Sequence, residues 1–197
     1  MALALGLSFH RGVVHGVLLD EAREDPTIIH LDRADLSQDV SLTPHLDHLG
    51  EPPAQAELAI QRTAEALAVS AGRSVRGLID RAAEFGEAAT VGIIVPRSVP
   101  ETALAKTLSK RRFAQNADDR LVAEVVVREA RRQSAPVVAM TAQDALAQSR
   151  LTFGLDRQGV GQRAKALRAE LGEDFVYHHR LASLAAWVVL AGPNGRI

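Results

Sequence analysis

The sequence predicts a mixed α/β fold in which three antiparallel strands lead into a mixed sheet with helices on both faces. Three short β-rich runs, separated by turn residues, occupy the start of the chain. Two further apolar runs alternate with segments whose apolar residues recur at helical spacing. Three strands followed by alternating helices and strands are typical of a layered α/β architecture.

The N-terminal strands are predicted at residues 3–9, 13–20 and 27–31. His10, Arg11 and Gly12 separate the first two strands, and this spacing suits a tight hairpin because glycine adopts a positive φ at little steric cost. A polar turn precedes the third run. We therefore expect three antiparallel strands at the N-terminus.

Two helical segments are predicted next, at residues 54–71 and 75–85. Ile60 and Leu67 belong to an apolar face that recurs at helical spacing in the first segment. Pro53 suits its start, because proline at the first helical position lacks only an N–H that would have no partner inside the helix.

The remaining elements follow from residue 91 onward. The apolar run 91–95 predicts a strand that is buried on both faces, and the basic segment 97–117 is expected to be irregular. An amphipathic helix is predicted at 118–133 and a fifth strand at 136–140. Further helices are expected from residue 141, near residues 161–171 and near residues 180–190, before a short tail at 192–197.

Length and composition limit the class of protein. The 197 residues suit one domain that spans residues 1–197. The absence of cysteine excludes disulfides and cysteine metal sites and favours a reducing cytoplasm. No targeting signal is recognised, and the apolar run at 181–191 is shorter than a membrane span. We expect a soluble, cytoplasmic protein.

Charge is distributed unevenly along the chain. The formal net charge is −1, but residues 1–100 carry 14 acidic and 8 basic side chains, and residues 101–197 carry 10 acidic and 15 basic ones. This asymmetry is compatible with a basic face for nucleic acid, and equally with an unevenly charged solvated surface.

Basic side chains in the second half are the candidate contacts to DNA phosphates. Phe113, beside the densest cluster, is a candidate for stacking on a base. The alternative for the whole set is a solvated loop and helix face. The candidate residues are Arg97, Lys106, Lys110, Arg111, Arg112, Arg157, Arg163 and Lys165.

Four stretches resemble a known family. They are GLSFHRG at residues 6–12, FAQNAD at 113–118, TFG through GQRAK within 152–165, and LASLAAW at 181–187. Together they resemble the RuvC-type Holliday-junction resolvases of the ribonuclease H-like superfamily. The resemblance implies a ribonuclease H-like fold, a homodimer and contact with branched DNA.

The resemblance also implies a metal-dependent nuclease site, and here the sequence departs from the family. Family members cleave phosphodiesters with divalent cations held by acidic side chains, because hard cations prefer oxygen ligands. The corresponding positions in this chain are Ser8, Val95 and the pair His178 and His179. None is a carboxylate. We therefore expect a degenerate site with no catalytic residue, no metal and no cofactor.

Ser8, His10, His178 and His179 are expected to converge, because the first strand and the last helix border the same site in this family. Imidazole suits a transition metal, and a histidine could support residual catalysis. Histidines without a carboxylate or cysteine are a weak metal specification, however, which favours polar residues in a decayed pocket.

Three functional hypotheses result. The first is a non-catalytic RuvC-like protein that binds branched or double-stranded DNA, or a DNA-processing complex. The second is a scaffold protein whose small-residue stripe, Ala182, Ala185 and Ala186, packs against a partner. The third is a divergent nuclease that uses magnesium, which requires acids from elsewhere in the chain to enter the site. The acids considered for this are Asp20, Asp32 and Glu101.

Overall fold

The computed structural model contains a five-stranded sheet in the order β3-β2-β1-β4-β5. It describes residues 3–20, 27–37, 40–86, 88–97, 102–133, 136–153 and 176–190, together with 158–159, 162, 165–166, 169 and 171–172. The strands are β1 (Leu3–His10), β2 (Val13–Asp20), β3 (Thr27–Asp35), β4 (Ala88–Val95) and β5 (Val137–Thr141).

The N-terminal strands pair as the sequence predicts. β1 and β2 are antiparallel, as are β2 and β3, whereas β4 lies parallel to β1 and β5 parallel to β4. Arg11 and Gly12 form the first turn with φ values of 48° and 84°. The predicted sheet, antiparallel at its start and parallel beyond, is confirmed.

Six helices that are described over their whole length pack around the sheet. They are α1 (Pro44–Asp47), α2 (Pro53–Ala83), α3 (Leu104–Leu108), α4 (Arg111–Arg131), α5 (Ala142–Phe153) and α6 (Tyr177–Leu190). α5 begins near residue 141, as expected, with a capping box. The Asp144 N–H donates to Thr141 Oγ1 over 3.1 Å, and the Thr141 N–H donates to Asp144 Oδ2 over 3.3 Å.

The alternation of side chains along β1 creates two cores. Leu3, Leu5 and Leu7 face the core that is shared with α2 and α4. Ala4 faces the opposite core, which is shared with α6. Since successive side chains of a strand point to opposite faces, β1 presents leucines to one helical layer and small residues to the other. Helices therefore cover both faces, as predicted.

Two helical expectations need correction. Residues 97–117 are not irregular throughout, because α3 and the first part of α4 lie within them. Ala114 is fully buried and anchors this first part, although its basic neighbours hide the apolar pattern. The two helices expected between residues 54 and 85 are one helix, since Ala71 and Val75 keep the buried face continuous across Gly72.

Paired glycines let α6 lie directly on the sheet. Gly6 and Gly92 are neighbours across the β1–β4 pairing. A Cβ on Gly6 would lie 1.8 Å from the Ala182 carbonyl oxygen, and one on Gly92 would lie 2.5 Å from the Ala185 carbonyl oxygen. Such distances are far inside van der Waals contact, so only glycine admits the helix here. This packing brings the start of α6 to the C-terminal end of β1.

The alanine stripe of the last helix is part of this packing. Ala182, Ala185 and Ala186 are fully buried against the sheet. They are not available to a partner, which corrects the surface that the scaffold hypothesis assigned to them. Separately, no helix among the described residues is both long and apolar enough to span a bilayer.

Candidate functional site

A cleft of about 600 Å³ opens where the parallel strands end. Ser8, Val95 and Thr141 line it from β1, β4 and β5, Asp119 lines it from α4, and His178 lines it from α6. In open α/β sheets, ligands bind in the crevice outside the carboxyl ends of the strands. The fold therefore brings the residues singled out in the sequence to the expected place.

Ser8 lies at the base of this cleft. Its side chain is buried, and its Oγ is 3.5 Å from Nδ1 of His178. A buried neutral hydroxyl beside an imidazole is a poor ligand for a hard cation.

Four histidines form a cluster next to Ser8. The His10 and His178 rings stack with centroids 4.4 Å apart and an interplanar angle of 12°. The His15 ring also stacks against His178, with centroids 5.4 Å apart, and meets His179 edge-on at 4.8 Å. The hairpin register places His15 opposite Ser8, on the same face of the sheet. His15 was not among the predicted site residues, although this register is its signal in the sequence.

Hydrogen bonds fix the proton positions of the inner pair. Nδ1 of His179 accepts the Val176 N–H over 3.3 Å, so the ring proton of His179 is on Nε2. Nε2 lies 3.3 Å from Nδ1 of His15 and donates to it. His15 therefore carries its own proton on Nε2, and both rings are held in a neutral form.

The electrostatics of the cluster also favour neutral rings. Burial, followed by the neighbouring His179 and His178, lowers the pKa of His15 to about 4. Burial, followed by His10 and His179, lowers the pKa of His178. In both cases the protonated form loses hydration and meets other imidazoles, so these two rings are uncharged at neutral pH.

Two carboxylates, Asp118 and Asp119, also line the cleft. Asp118 is buried and accepts hydrogen bonds from the His45 N–H at 2.8 Å, the Leu46 N–H at 3.1 Å and His45 Nδ1 at 2.7 Å. These bonds commit both of its oxygens to holding α1. Asp119 faces the cleft, where partial desolvation and then the neighbouring Asp118 charge raise its pKa.

The donor set does not fit a pair of magnesium ions. After Asp118 is committed to α1, Asp119 is the one carboxylate left among the described residues that line the cleft. Across the described ranges, no group of three or more histidine or acidic side chains is arranged to hold a metal. Two hard cations about 4 Å apart need several anionic oxygens.

The acids considered for a divergent nuclease do not supply these oxygens. Asp20 pairs with Leu3, at the opposite end of β1 from Ser8. Asp32 forms an ion pair with Arg81 on α2. Glu101 lies outside the described residues.

The predicted DNA-contacting cations lie along α3 and α4 and at the end of β4. Arg97 follows β4 and lines the cleft, and Arg111 and Arg112 are exposed in the first turn of α4. Lys106 and Lys110 place their Nζ atoms 5.4 and 5.9 Å from the centre of the half-buried Phe113 ring. Lys165 is exposed. Arg157 and Arg163 lie outside the described residues.

A groove of about 790 Å³ continues from the cleft along α4. The two share Val95, Pro96, Arg97 and Asp119, and the groove in turn shares Arg120 with a smaller hollow beside Lys106 and Phe113. Its arginines are Arg97, Arg120, Arg128, Arg131 and Arg132, against the carboxylates Asp119 and Glu124.

Part of this charge is balanced internally. Arg128 and Arg132 contact the buried Glu129 carboxylate at 3.1 and 2.9 Å, and Arg120 lies 3.5 Å from Glu124. The lining of the groove still carries more cations than anions. One continuous, mainly basic surface therefore runs from the histidine cluster to α3.

Comparison with known proteins gives a likeness in fold. No protein-family model matches the sequence, and no curated protein matches it. Among solved structures, Thermus thermophilus RuvC matches with a TM-score of 0.51 and 9% identity over 94% of this chain and 92% of that one. T. thermophilus RuvC in complex with Holliday junction substrate matches with a TM-score of 0.49 and 13% identity over 95% and 92% of the two chains. This chain therefore has a ribonuclease H-like fold similar to that of RuvC.

Proposed function

We propose that this protein binds branched or double-stranded DNA as a RuvC-like protein that does not cleave it. The observation that carries the proposal is the continuous surface from the cleft to α3, which Arg97, Arg120 and Lys106 line. Arg111 and Arg112 are exposed at the start of α4, the helix that runs along this surface. Cations spread along a groove neutralise phosphates, and such contacts position DNA without reading its sequence.

The loss of cleavage is the second part of the proposal. The resemblance implies metal-binding acids at the positions of Ser8, Val95 and His178. The remaining cleft carboxylate, Asp119, supplies too few anionic oxygens to hold two magnesium ions. A junction bound here is expected to stay intact. The homodimer implied by the resemblance, and the single domain over residues 1–197, remain predictions.

A gel-shift titration with a four-way junction tests the proposal. If binding uses about four phosphate contacts, affinity falls about a hundredfold between 50 and 200 mM salt. A labelled junction in Mg²⁺ or Mn²⁺ is expected to remain uncut. Cleavage would overturn the non-catalytic part, and a shift that salt does not weaken would overturn the phosphate-contact part.

A matched pair of variants locates the surface. Arg111→Glu with Arg112→Glu reverses two charges at the start of α4 and is expected to weaken junction binding at least about tenfold. Arg62→Glu with Arg73→Glu reverses two exposed charges on α2 and is expected to leave affinity within about twofold. Equal losses in both pairs would contradict the proposed surface. No shift with any DNA would favour the scaffold hypothesis.

A further inference from the structure

The cleft replaces metal-binding acids with a stack of groups that become cations when they take up a proton. His10 and His178 stack at its mouth, and the permanently charged Arg11 and Arg97 line the same cavity. Thr43 also lines the cavity, but its hydroxyl already donates to Asp47 over 3.0 Å. Imidazolium and guanidinium donors are the chemistry that recognises a phosphate oxygen.

We propose that the His10–His178 pair binds a phosphate group of nucleic acid in its protonated form, so that proton uptake takes the place of the divalent cation. The proposal deepens the proposed function, because it names the group that the cleft holds and the condition under which it holds it.

The reason for coupling is the mutual repulsion within the cluster. Burial and the neighbouring imidazoles lower the pKa of His178 in the unliganded cleft. A phosphate placed against the pair adds negative charge that offsets both effects. Binding therefore brings a proton with it, and affinity falls as the pH rises and that proton is lost.

The other ionisable groups around the His10–His178 pair also bear on how phosphate affinity changes with pH. On the sheet, His15 has its pKa lowered to about 4, with Arg33 of β3 among the causes, so it stays neutral. On α6, Tyr177 meets His178 edge-on and the inner His179 donates to His15.

The carboxylates of α4 act in the opposite sense to the cations. Asp118 is engaged with His45 and the backbone of α1. Asp119 lies near enough to His10 to feel its charge, and it repels a phosphate while it is ionised. Protonation of Asp119 at lower pH therefore also favours the anion. Asp119→Asn is expected to raise affinity at pH 8 and leave the dependence due to the histidines in place.

The first arm of the test measures junction affinity at pH 6 and pH 8, in EDTA and at constant ionic strength. Because binding takes up one proton, the affinity of the wild type is expected to fall by about tenfold or more from pH 6 to pH 8. His10→Asn with His178→Asn is expected to reduce the change to less than about threefold. The control His48→Asn, which removes a histidine paired with Glu51 away from the cleft, is expected to keep the wild-type change. Circular dichroism checks that each variant is folded.

The second arm uses inorganic phosphate and needs no DNA. The ring signals of His178 are followed by NMR against pH, in phosphate and in chloride at equal ionic strength. Phosphate is expected to move the midpoint up by about half a unit or more, since a nearby anion favours the imidazolium. Because His10 is exposed at the end of β1, His10→Asn alone is a second variant that should fold and still lower this shift.

The two arms separate the proposals. In one outcome, the double variant keeps the wild-type change of junction affinity with pH, and phosphate does not move the titration midpoint of His178. This outcome overturns the protonated pair and leaves DNA binding in place. A phosphate shift without junction binding supports the phosphate site and overturns the proposed DNA partner. Failure of both arms overturns both.

Discussion

Adjacent acidic residues have opposite surroundings in this protein. Asp118 is buried, with three hydrogen bonds to the first residues of α1. Asp119 faces the cleft, and partial desolvation raises its pKa. A helix turns by 100° per residue, so neighbours on α4 point to different environments. The two positions therefore give a controlled pair of substitutions.

Asp118→Asn is expected to lower the free energy of unfolding by about 2–3 kcal/mol, because an amide replaces an oxygen that accepts backbone N–H groups in a buried place. Asp119→Asn, by contrast, removes a partly desolvated charge and is expected to change stability by less than about 0.5 kcal/mol. Urea unfolding followed by circular dichroism measures both. Equal effects would mean that Asp118 does not hold α1.

At the scale of elements, the contact between α6 and the sheet builds the site. Gly6 and Gly92 remove the side chains that would hold the helix away, and the buried alanines of α6 complete the fit. His178 and His179 reach the end of β1 because of this close approach. Gly6 and Gly92 therefore help to position the histidines of the cleft, although they contact α6 one or two helical turns farther along.

Gly92→Ala is expected to destabilise the protein by about 1–3 kcal/mol, since its Cβ would lie 2.5 Å from the Ala185 carbonyl oxygen and the helix must shift. It is also expected to loosen the stack of His178 on His10, which the ring chemical shifts report. The control is Gly72→Ala in α2, whose Cβ meets Glu129 at an ordinary 3.4 Å. There we expect a gain of up to about 1 kcal/mol from helix propensity. A stable Gly92→Ala protein with unchanged histidine shifts would contradict this account of α6.

At the scale of the whole molecule, the histidine cluster links the N-terminal hairpin to the last helix. His15 and His179 are 164 residues apart in the chain and are joined by a hydrogen bond. Protonation of His15 at Nδ1 breaks this bond, because that nitrogen accepts the proton of His179 Nε2. The folded protein therefore excludes a proton that the unfolded chain accepts.

This exclusion makes stability depend on pH. The pKa of His15 falls from 6.5 to about 4 on folding, so its contribution is complete above pH 6.5 and is lost as the pH falls towards 4. When the pH falls from 7 to 5, the free energy of unfolding of His15→Gln is expected to fall by about 1 kcal/mol less than that of the wild type. This figure is already reduced for the partial exposure of the His15 ring. Urea titrations at the two pH values measure the difference. Identical losses would show that His15 does not titrate in this way.

Local patterns were sufficient for much of the fold. Three features of the fold depend only on residues that are close in sequence. They are the Arg11–Gly12 turn, the alternation of side chains along β1 and the capping box at Thr141. The start of α4 was missed, because Ala114 is the buried residue among exposed basic ones and its burial depends on distant elements.

The candidate site was predicted in part. Convergence of Ser8, His10, His178 and His179 was expected from the resemblance. Ser8 and His10 contact His178, and His179 contacts this group through His15, whereas the role of these residues stays a prediction. The cleft position of Asp118 was missed because its partner, His45, is 73 residues away. No spacing along the chain encodes such a pair.

The sequence by itself determined the layered α/β architecture, the antiparallel start of the sheet and the neutral residues where the family resemblance implies acids. These depend on the order of side chains along single elements, which a pattern records directly. The tertiary structure alone decided which acid faces the cleft, that four imidazoles cluster beside it and that the basic groove is continuous with it. Those features depend on distances between elements, and such distances arise only when Gly6 and Gly92 bring α6 onto the sheet.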